Sequence, residues 1–568
     1  MKRADARSAV AVHPESSRGT GESSNNRSSI VLGMNGVSGA ALRAGRSLAL
    51  LALIPAVASA AGFTDHGEDL FVREKIEVTL TGYFRGRGEL LNNLDLDRGT
   101  TPSGRPLFAV PLGNPNAQLL STADMRLRTD LALYTPFAAA AVKIRADLVD
   151  NLVLGSTPVL SPGTGNAPTP ATTPGQLPST VVRIKRAYAE ALTPIGLVTA
   201  GRMGNHWGLG ILNNGGDCLD CDRGDSADRL AFITAIAGHL WAVAYDFSAV
   251  GPLTDRRDGT RSLVFEPSAD VRTVSFAVMN MRGDESRERR RRAHKATVEY
   301  GFVASHRWQD FDVPASYLAT SVPVPLSPAQ VVPRGFSGTA LDVWLRITWP
   351  SVRIEAEGAL VIANIAQGSL IPGVLLRDAF SSLQWGAALE LELGAPTATF
   401  QGGLNAGVAS GDPAPGFGAF PQAGPVPRPG ELDGTQVDPP RDVRADNFRF
   451  HPDYRVDRIL FAEIIGTVTD AIYVRPWIQA RLLALTSSSL KARVSGTYSR
   501  AIYASSTPGN SAELGFELNA SLRWESRDGF DVLLEYGALL PFAGLSNPAQ
   551  NLTATPGQLL RLRLAWNF

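Results

Sequence analysis

The residues of this chain whose types and spacing could do chemistry concentrate between Gly201 and Asp228. Cys218 and Cys221 stand there in a C-x-x-C arrangement. A zinc site would need two further Cys or His ligands, and His206 is the only nearby one. The spacing therefore favours a disulfide within one loop, formed in an oxidising compartment.

Acidic residues surround the cysteine pair and supply hard oxygen ligands at high density: Asp217, Asp220, Asp222 and Asp225. Such a cluster could hold a structural Ca²⁺ ion, and no other cofactor is indicated. The alternative is an acidic loop that carries solvated charge and no ion.

Patterns of known enzymes are missing from the sequence. Gly208 and Gly210 begin a glycine pattern that fails at Asn213, which excludes a dinucleotide-binding fingerprint. Neither G-x-S-x-G nor H-E-x-x-H occurs, so no enzyme is predicted. The 54 basic residues equal the 54 acidic residues, and nucleic-acid binding therefore has no compositional support.

The elements that position these residues show a period of two. From Leu341 to Trp349, for example, large apolar residues alternate with mostly polar ones, which is typical of a strand with one apolar face. Such runs recur after residue 70 and approach the ~9–11 residues of a tilted membrane strand. Strands of soluble sandwiches are shorter, at about 5–6 residues.

The last strand carries the clearest signal. Leu560 to Phe568 has an apolar residue at every even position, and Trp566 and Phe568 lie on the same face. This ending resembles the closing strand of a bacterial outer-membrane β-barrel. The resemblance implies that Trp566 and Phe568 form the assembly signal and that the barrel-assembly machinery inserts the chain.

The connections alternate between tight turns and long loops. The long ones cover about 90–121, 151–180, 204–227, 249–268, 309–338, 410–470 and 541–556. This asymmetry predicts an all-β fold for 75–568, a transmembrane antiparallel up-and-down β-barrel with short periplasmic turns and long extracellular loops. We count about 18 strands; 16 is the alternative, because 228–248 could be a hairpin or part of a loop.

The amino-terminal region predicts export. Residues 1–33 are polar and predicted to be disordered or to precede the true start. Arg43 and Arg46, the apolar run 48–57 and Ala58-Ser59-Ala60 are typical of a signal peptide at 34–60. Residues 61–74 form a periplasmic lead, and Sec-type export to the outer membrane follows.

Two stretches, Gly201–Asp228 and Phe448–Tyr454, resemble an uncharacterised family of porin-like barrels from δ-proteobacterial, myxobacterial-type lineages. A weaker similarity is to alginate-export-type barrels. The Gly201-Arg202 pair also resembles a porin strand whose Arg points into the pore. The family implies no known substrate.

The strand alternation predicts a lumen that carries both signs of charge. The pore-lining candidates are Arg85, Arg126, Arg128, Arg145, Arg202, Arg346, Arg353, Glu355, Arg561 and Arg563. Many must pair across neighbouring strands, and the Arg excess favours a weak anion preference.

The longest loop contains apolar residues without strand alternation, and we expect it to fold inward or to carry a short helix. Its constriction candidates are Phe448, Phe450, His451 and Tyr454. The loop could narrow the pore as a plug or cover the rim as a lid. The run Arg287–Arg292 is placed in the periplasm, as a solvated turn or as a contact to anionic groups.

Together these features predict a porin-like channel for passive or substrate-specific diffusion of small hydrophilic solutes. The expected surroundings are outer-membrane lipid and lipopolysaccharide, with no nucleic acid; the oligomeric state stays open. The alternative is a non-transporting barrel for anchoring or loop display, and an outer-membrane hydrolase is less favoured.

Removal of the leader is the first testable expectation. The small residues before Ala61 follow a basic and an apolar segment, as signal peptidase requires. Amino-terminal sequencing of the membrane-extracted protein should therefore begin at Ala61. A mature chain that still carries residues 1–40 would contradict the predicted location.

Overall fold

The computed structural model describes residues 66–67, 69–111, 118–154, 182–313, 330–369, 371–419 and 427–568. The predicted upstream segment 1–33 and signal peptide 34–60 lie outside these ranges. Among the described residues no helix has the length and apolar character needed to span a membrane.

Eighteen long strands form the wall of a closed barrel. They are β1 Glu77–Asn92, β2 Leu119–Tyr134, β3 Ala140–Asp147, β4 Arg183–Thr193, β5 Gly196–Gly204, β6 Ser226–Ile236, β7 His239–Ala249, β8 Val271–Asn280, β9 Thr297–Gln309, β10 Phe336–Thr348, β11 Val352–Ile365, β12 Phe380–Leu393, β13 Phe400–Ala409, β14 Ala471–Ala484, β15 Ser488–Ala501, β16 Glu513–Ser526, β17 Phe530–Pro541 and β18 Gly557–Asn567.

Each wall strand pairs antiparallel with the next one in the chain, and β18 pairs with β1 from Tyr83↔Asn567 to Asn92↔Gln558. The sheet therefore has no open edge. The predicted fold is confirmed with 18 strands, because 228–248 lies in the β6–β7 hairpin, registered from Arg229↔Asp246 to Ile236↔His239.

The two ends of the barrel differ in their connections. Most connections at one end, the turn end, are short, whereas those at the other, the loop end, are long; both β1 and β18 have their outer chain ends at the turn end. The exception at the turn end is 281–296, which contains α1, Asp284–Arg292, the only α-helix in the described ranges. Its last turn carries four arginines, which the helix dipole favours at a carboxyl end.

The remaining elements are short and lie in the long loops. Two short strands, Leu253–Asp255 and Ser262–Val264, pair with each other, and Leu152–Val153 is a two-residue strand. The turns are 3₁₀ turns at Pro267–Ala269, Ala504–Ser506, Ala543–Leu545 and Pro548–Gln550 and a π turn at Leu460–Ile464. Two further connections at the loop end, 366–379 and 502–512, were not predicted as long loops.

The strand period separates a lipid face from an interior. On β18 the side chains of Leu560, Leu562 and Leu564 are exposed on the outside, whereas Arg561 and Arg563 are buried inside. Around the barrel, exposed large apolar residues form the outer band that a hydrocarbon environment requires. Trp566 stacks on Phe530 at 6.0 Å near the turn end, at the level of an interfacial girdle.

Substituting Leu562 tests this assignment, because Leu562 lies at the middle of β18 on the outer face. Leu562→Arg should destabilise the folded barrel by roughly 2–4 kcal/mol, the cost of a midplane arginine. Equilibrium unfolding in urea with lipid vesicles measures this free energy. Gln558→Arg, on the same face at the end of β18, should cost about 0–1 kcal/mol. Equal costs at both positions would contradict the assignment.

Candidate functional site

Two loops fold into the interior of the barrel: the first inner loop (residues 205–225) and the second inner loop (residues 410–419 and 427–470). Phe448 and Phe450 of the second inner loop pack with Ala359 and Ala388, which face inward from β11 and β12. Gly386 of β12 is needed here, since a methyl group on it would overlap the Phe448 ring. The second inner loop is therefore inside the wall, as a plug would be.

The aromatic residues of the second inner loop form its own core. Phe448 and Phe450 are each 1% exposed and meet edge to face at 5.8 Å, and Phe450 meets Tyr454 at 5.6 Å. His451 is also buried, and its backbone N–H donates to the Ile211 carbonyl at 2.7 Å. These side chains hold the loop together, and their part in a constriction stays a prediction.

A carboxylate from the wall anchors the second inner loop. Glu517 of β16 accepts hydrogen bonds from the backbone N–H groups of Arg458 at 2.7 Å and Leu460 at 3.0 Å. The π turn that follows buries Leu460, Phe461 and Ile464. Arg561 adds an ion pair to Glu463 at 3.2 Å. The loop is thus fixed both by polar contacts to the wall and by apolar burial.

The first inner loop offers backbone carbonyls to arginines of the wall. The Gly216 carbonyl accepts from Arg128 at 2.8 Å, and the Cys221 carbonyl accepts from Arg126 at 2.6 Å. The Leu219 carbonyl accepts from Arg85 at 2.8 Å. Guanidinium groups have five donors in a fixed fork, so one arginine can satisfy a carbonyl and a carboxylate together.

The aspartates of the first inner loop complete these arginine contacts. Asp222 pairs with four guanidiniums: Arg85 at 3.2 Å, Arg87 at 3.1 Å, Arg126 at 2.9 Å and Arg455 at 3.2 Å. Asp220 pairs with Arg563 of β18. Together these pairs join the loop to β18, β1, β2 and the second inner loop.

The arginines of the wall lower the pKa of a buried carboxyl group, that of Asp217. It pairs with Arg145 of β3 and with Arg186 of β4, the latter at 3.0 Å. Burial raises the pKa of the Asp217 carboxyl, but the two arginines outweigh burial and lower the pKa to about 2. Asp217 therefore stays ionised at neutral pH.

The calcium prediction for Asp217, Asp220, Asp222 and Asp225 is wrong. The first three carboxylates face arginines, and Asp225 lies 3.5 Å from Nε2 of His451. Among the described residues no three His, Cys, Asp or Glu side chains form a metal site. The loop is also not a solvated acidic loop, because guanidiniums neutralise it within the barrel.

Cys218 and Cys221 are joined by a disulfide in the structure. The bridge encloses Leu219 and Asp220, whose carbonyl and carboxylate contact Arg85 and Arg563. His206, the metal candidate beside them, instead accepts a hydrogen bond from the Gly215 N–H at 3.3 Å through Nδ1. Burial lowers the pKa of His206.

The two inner loops also contact each other. The Asp453 carboxylate accepts hydrogen bonds from the backbone N–H groups of Asp222 at 3.0 Å and Arg223 at 2.9 Å. Movement of either loop therefore breaks contacts of the other.

Apart from Arg202, the predicted pore-lining residues fall into two groups. Arg85, Arg126, Arg128, Arg145, Arg561 and Arg563 face inward and are engaged by the inner loops or by acidic residues of the wall. Arg346, Arg353 and Glu355 also face inward, in a separate cluster on β10–β12 where Arg353 pairs with Glu390 at 2.9 Å and Glu392 at 2.8 Å. Their role in lining a pore stays a prediction.

The prediction for Arg202 is wrong. Its side chain is 53% exposed and pairs with Asp228 of β6 at 2.7 Å. Arg202 has the same strand parity as the exposed Val198, opposite to that of the buried Thr199. It therefore lies on the outer face near the loop end of β5.

Two further arginines face inward, and for Arg493 the alternation of its strand already predicts this from the sequence. Arg493 of β15 lies over the Trp477 ring at 3.9 Å, and Arg475 of β14 donates to the Ser495 hydroxyl at 3.2 Å. In the described part of the chain neither guanidinium has a carboxylate within 4.0 Å. The alternation of side chains along β14 would also predict an inward Arg475, but the neighbouring Pro476 obscures that alternation in the sequence.

The geometry defines the class of protein: a closed antiparallel barrel of 18 strands with an apolar outside and a charged inside is a transmembrane β-barrel. No protein-family model and no curated protein sequence matches the chain. It resembles the solved structure of Pseudomonas aeruginosa OccK11 (OpdR). The sequence identity is 10%, the TM-score is 0.42, and the match covers 88% of this chain and 98% of that one.

Similar values hold for two other solved structures. Pseudomonas aeruginosa OpdK with vanillate has 8% identity, TM-score 0.42 and coverage of 86% and 98%. A BenF-like porin from Pseudomonas fluorescens Pf-5 has 8% identity, TM-score 0.42 and coverage of 87% and 98%. These matches lend no support to the myxobacterial-type or alginate-export-type resemblance. At such values they carry no functional argument.

The docking of the first inner loop can be tested at Asp217. Asp217→Asn removes the negative charge between Arg145 and Arg186. Arg145 keeps its pair with Asp130, but the buried Arg186 loses the carboxylate that it pairs with, and such a loss costs about 3–5 kcal/mol. We expect the loop to detach and trypsin to cleave after Arg223 in the detergent-solubilised barrel.

Asp228→Asn is the matched control, because it makes the same chemical change in the exposed pair with Arg202. An exposed pair contributes only about 0–1 kcal/mol, so this variant should resist trypsin as the unaltered protein does. If both variants are cleaved at the same rate, Asp217 does not hold the loop.

Proposed function

We propose that this barrel is a porin-like channel for passive or substrate-specific diffusion of small hydrophilic solutes. The observation that carries the proposal is a closed 18-strand wall whose inward face bears charged side chains. About eight strands enclose a space that side chains fill, whereas 16–18 strands leave room for an aqueous channel.

The inner loops would set the width of the passage. They occupy part of the lumen against β18 and β1–β4 and against β11, β12 and β16. Solutes would then pass beside the loops, and selection would depend on the side chains left facing the passage.

Arg475 and Arg493 support a weak preference for anions. Most other inward arginines are neutralised by loop aspartates or wall glutamates, whereas these two have no carboxylate partner within 4.0 Å in the described ranges. A positive charge without a direct ion pair raises the local concentration of anions, less strongly where carboxylates such as Glu390 and Glu517 lie nearby. The balance of 54 basic and 54 acidic residues limits the preference.

Recording in planar bilayers tests the proposal. The purified protein should show stepwise ohmic conductance and a reversal potential of anionic sign in a salt gradient. One charge at 4 Å in water contributes about 1 kcal/mol. Arg475→Gln with Arg493→Gln should therefore reduce the anion-to-cation permeability ratio several-fold.

Arg500→Gln is the matched control, because Arg500 lies on β15 with its side chain exposed and paired with Glu513 at 3.4 Å. It should leave the ratio unchanged. A folded barrel that inserts without conductance would contradict the channel and favour the anchoring or display function.

A further inference from the structure

The connection 281–296 at the turn end carries a dense run of basic residues, in α1 and directly after it. Within 287–295 the only acidic residue is Glu288, whereas the basic residues are Arg287, Arg289, Arg290, Arg291, Arg292 and Lys295. The whole chain, by contrast, has 54 residues of each sign. Positive charge is therefore concentrated at one place on the turn end.

Some of these residues fix α1 to the wall. Arg287 pairs with the buried Glu299 of β9 at 3.2 Å, and Nη2 of Arg290 donates to the Ala296 carbonyl at 2.6 Å. The backbone N–H of Lys295 donates to the Arg290 carbonyl at 2.9 Å. The carboxyl end of α1 is therefore held beside the first residues of β9.

Other basic side chains of the run point into solvent. Arg289 and Lys295 are exposed, and neither has a carboxylate within 4.0 Å in the described part of the chain. The Arg292 side chain is 71% exposed and shares Glu288 with Arg291. The helix dipole favours cations in the last turn of α1, but Lys295 lies beyond that turn. Arg289, Arg292 and Lys295 thus form an exposed basic surface.

The basic surface lies next to the apolar outer band. Val298 and Tyr300 of β9 are 47% and 43% exposed on the outer face, and the Tyr300 hydroxyl lies 2.7 Å from Nε2 of His239. A tyrosine with an exposed ring and a bonded hydroxyl is typical of the membrane interface. Lys295 precedes Val298 by three residues, or at most ~10 Å at ~3.3 Å per residue. The polar layer of a bilayer is about 5–8 Å thick on each side, and a lysine side chain can extend into it.

We propose that the basic surface binds the headgroup of an anionic phospholipid in the leaflet at the turn end. The exposed cations would contact the headgroup phosphate. The acyl chains would lie on the outer face of β8 and β9, where Phe276 and Val298 are exposed. A soluble polyanion would meet the same charges but would gain nothing from the apolar face beside them. The site does not depend on the proposed channel function.

Native mass spectrometry of the full-length barrel in detergent tests the site, with phosphatidylglycerol and phosphatidylcholine added in turn. We expect phosphatidylglycerol to bind more tightly than phosphatidylcholine. Arg289→Gln with Lys295→Gln should weaken the binding of phosphatidylglycerol by about tenfold or more, since each basic residue near an anionic lipid surface contributes about fivefold. Binding of phosphatidylcholine should not change.

Arg257→Gln with Arg261→Gln is the matched control, because it removes two exposed basic side chains at the loop end, beside and within the turn that joins Leu253–Asp255 to Ser262–Val264. This variant should bind phosphatidylglycerol as the unaltered protein does, and each variant is first shown to migrate as a folded barrel. Equal affinity of the unaltered protein for the two lipids, or equal weakening in both double variants, would overturn the proposal.

Sedimentation with purified peptidoglycan separates the lipid from an anionic cell-wall polymer, which has no acyl chains. We expect no co-sedimentation that depends on Arg289 and Lys295. Co-sedimentation that Arg289→Gln with Lys295→Gln abolishes, together with unchanged binding of phosphatidylglycerol, would overturn the lipid site and assign the basic surface to the polymer.

Discussion

Compensation of charge inside the barrel is the constraint on which the rest of the structure depends. The wall turns a row of arginines inward from β18 through β4, and a buried guanidinium without a partner is costly. The first inner loop supplies the partners, with Asp222 shared among four arginines. The same contacts that neutralise the wall also decide where the loop lies.

Most of the fold could be predicted from sequence because lipid imposes a rule on every strand. The outer face must be apolar, and the period of two then fixes the inner face, as Leu562 and Arg561 show. The prediction that Arg202 faces inward was wrong because it followed a porin-like motif. The alternation of inward and outward side chains along β5 places Arg202 outside. Val198 and Thr199 already indicated which side Arg202 would take.

The candidate site was less predictable, because loops have no such period. The spacing of Asp217, Asp220 and Asp222 suits a calcium ion and a set of arginines equally well. Those arginines, such as Arg563, lie far away in the sequence, so no local pattern indicates which partner the carboxylates have. For the aromatic residues of the second inner loop, the sequence left open an inward fold and a short helix, and a plug and a lid. Whether Phe448 faces a solute or its own loop depends on packing against Gly386, which no local pattern reveals.

The contacts of the first inner loop have a consequence for the order of assembly. Asp220 binds Arg563 on the last strand, while Asp222 binds Arg85 and Arg87 on the first strand. The loop therefore acts as an internal staple across the seam where the two ends of the sheet meet. Since these arginines lie on β1 and β18, the staple can close only when the first and last strands have met, and its closure marks a finished barrel.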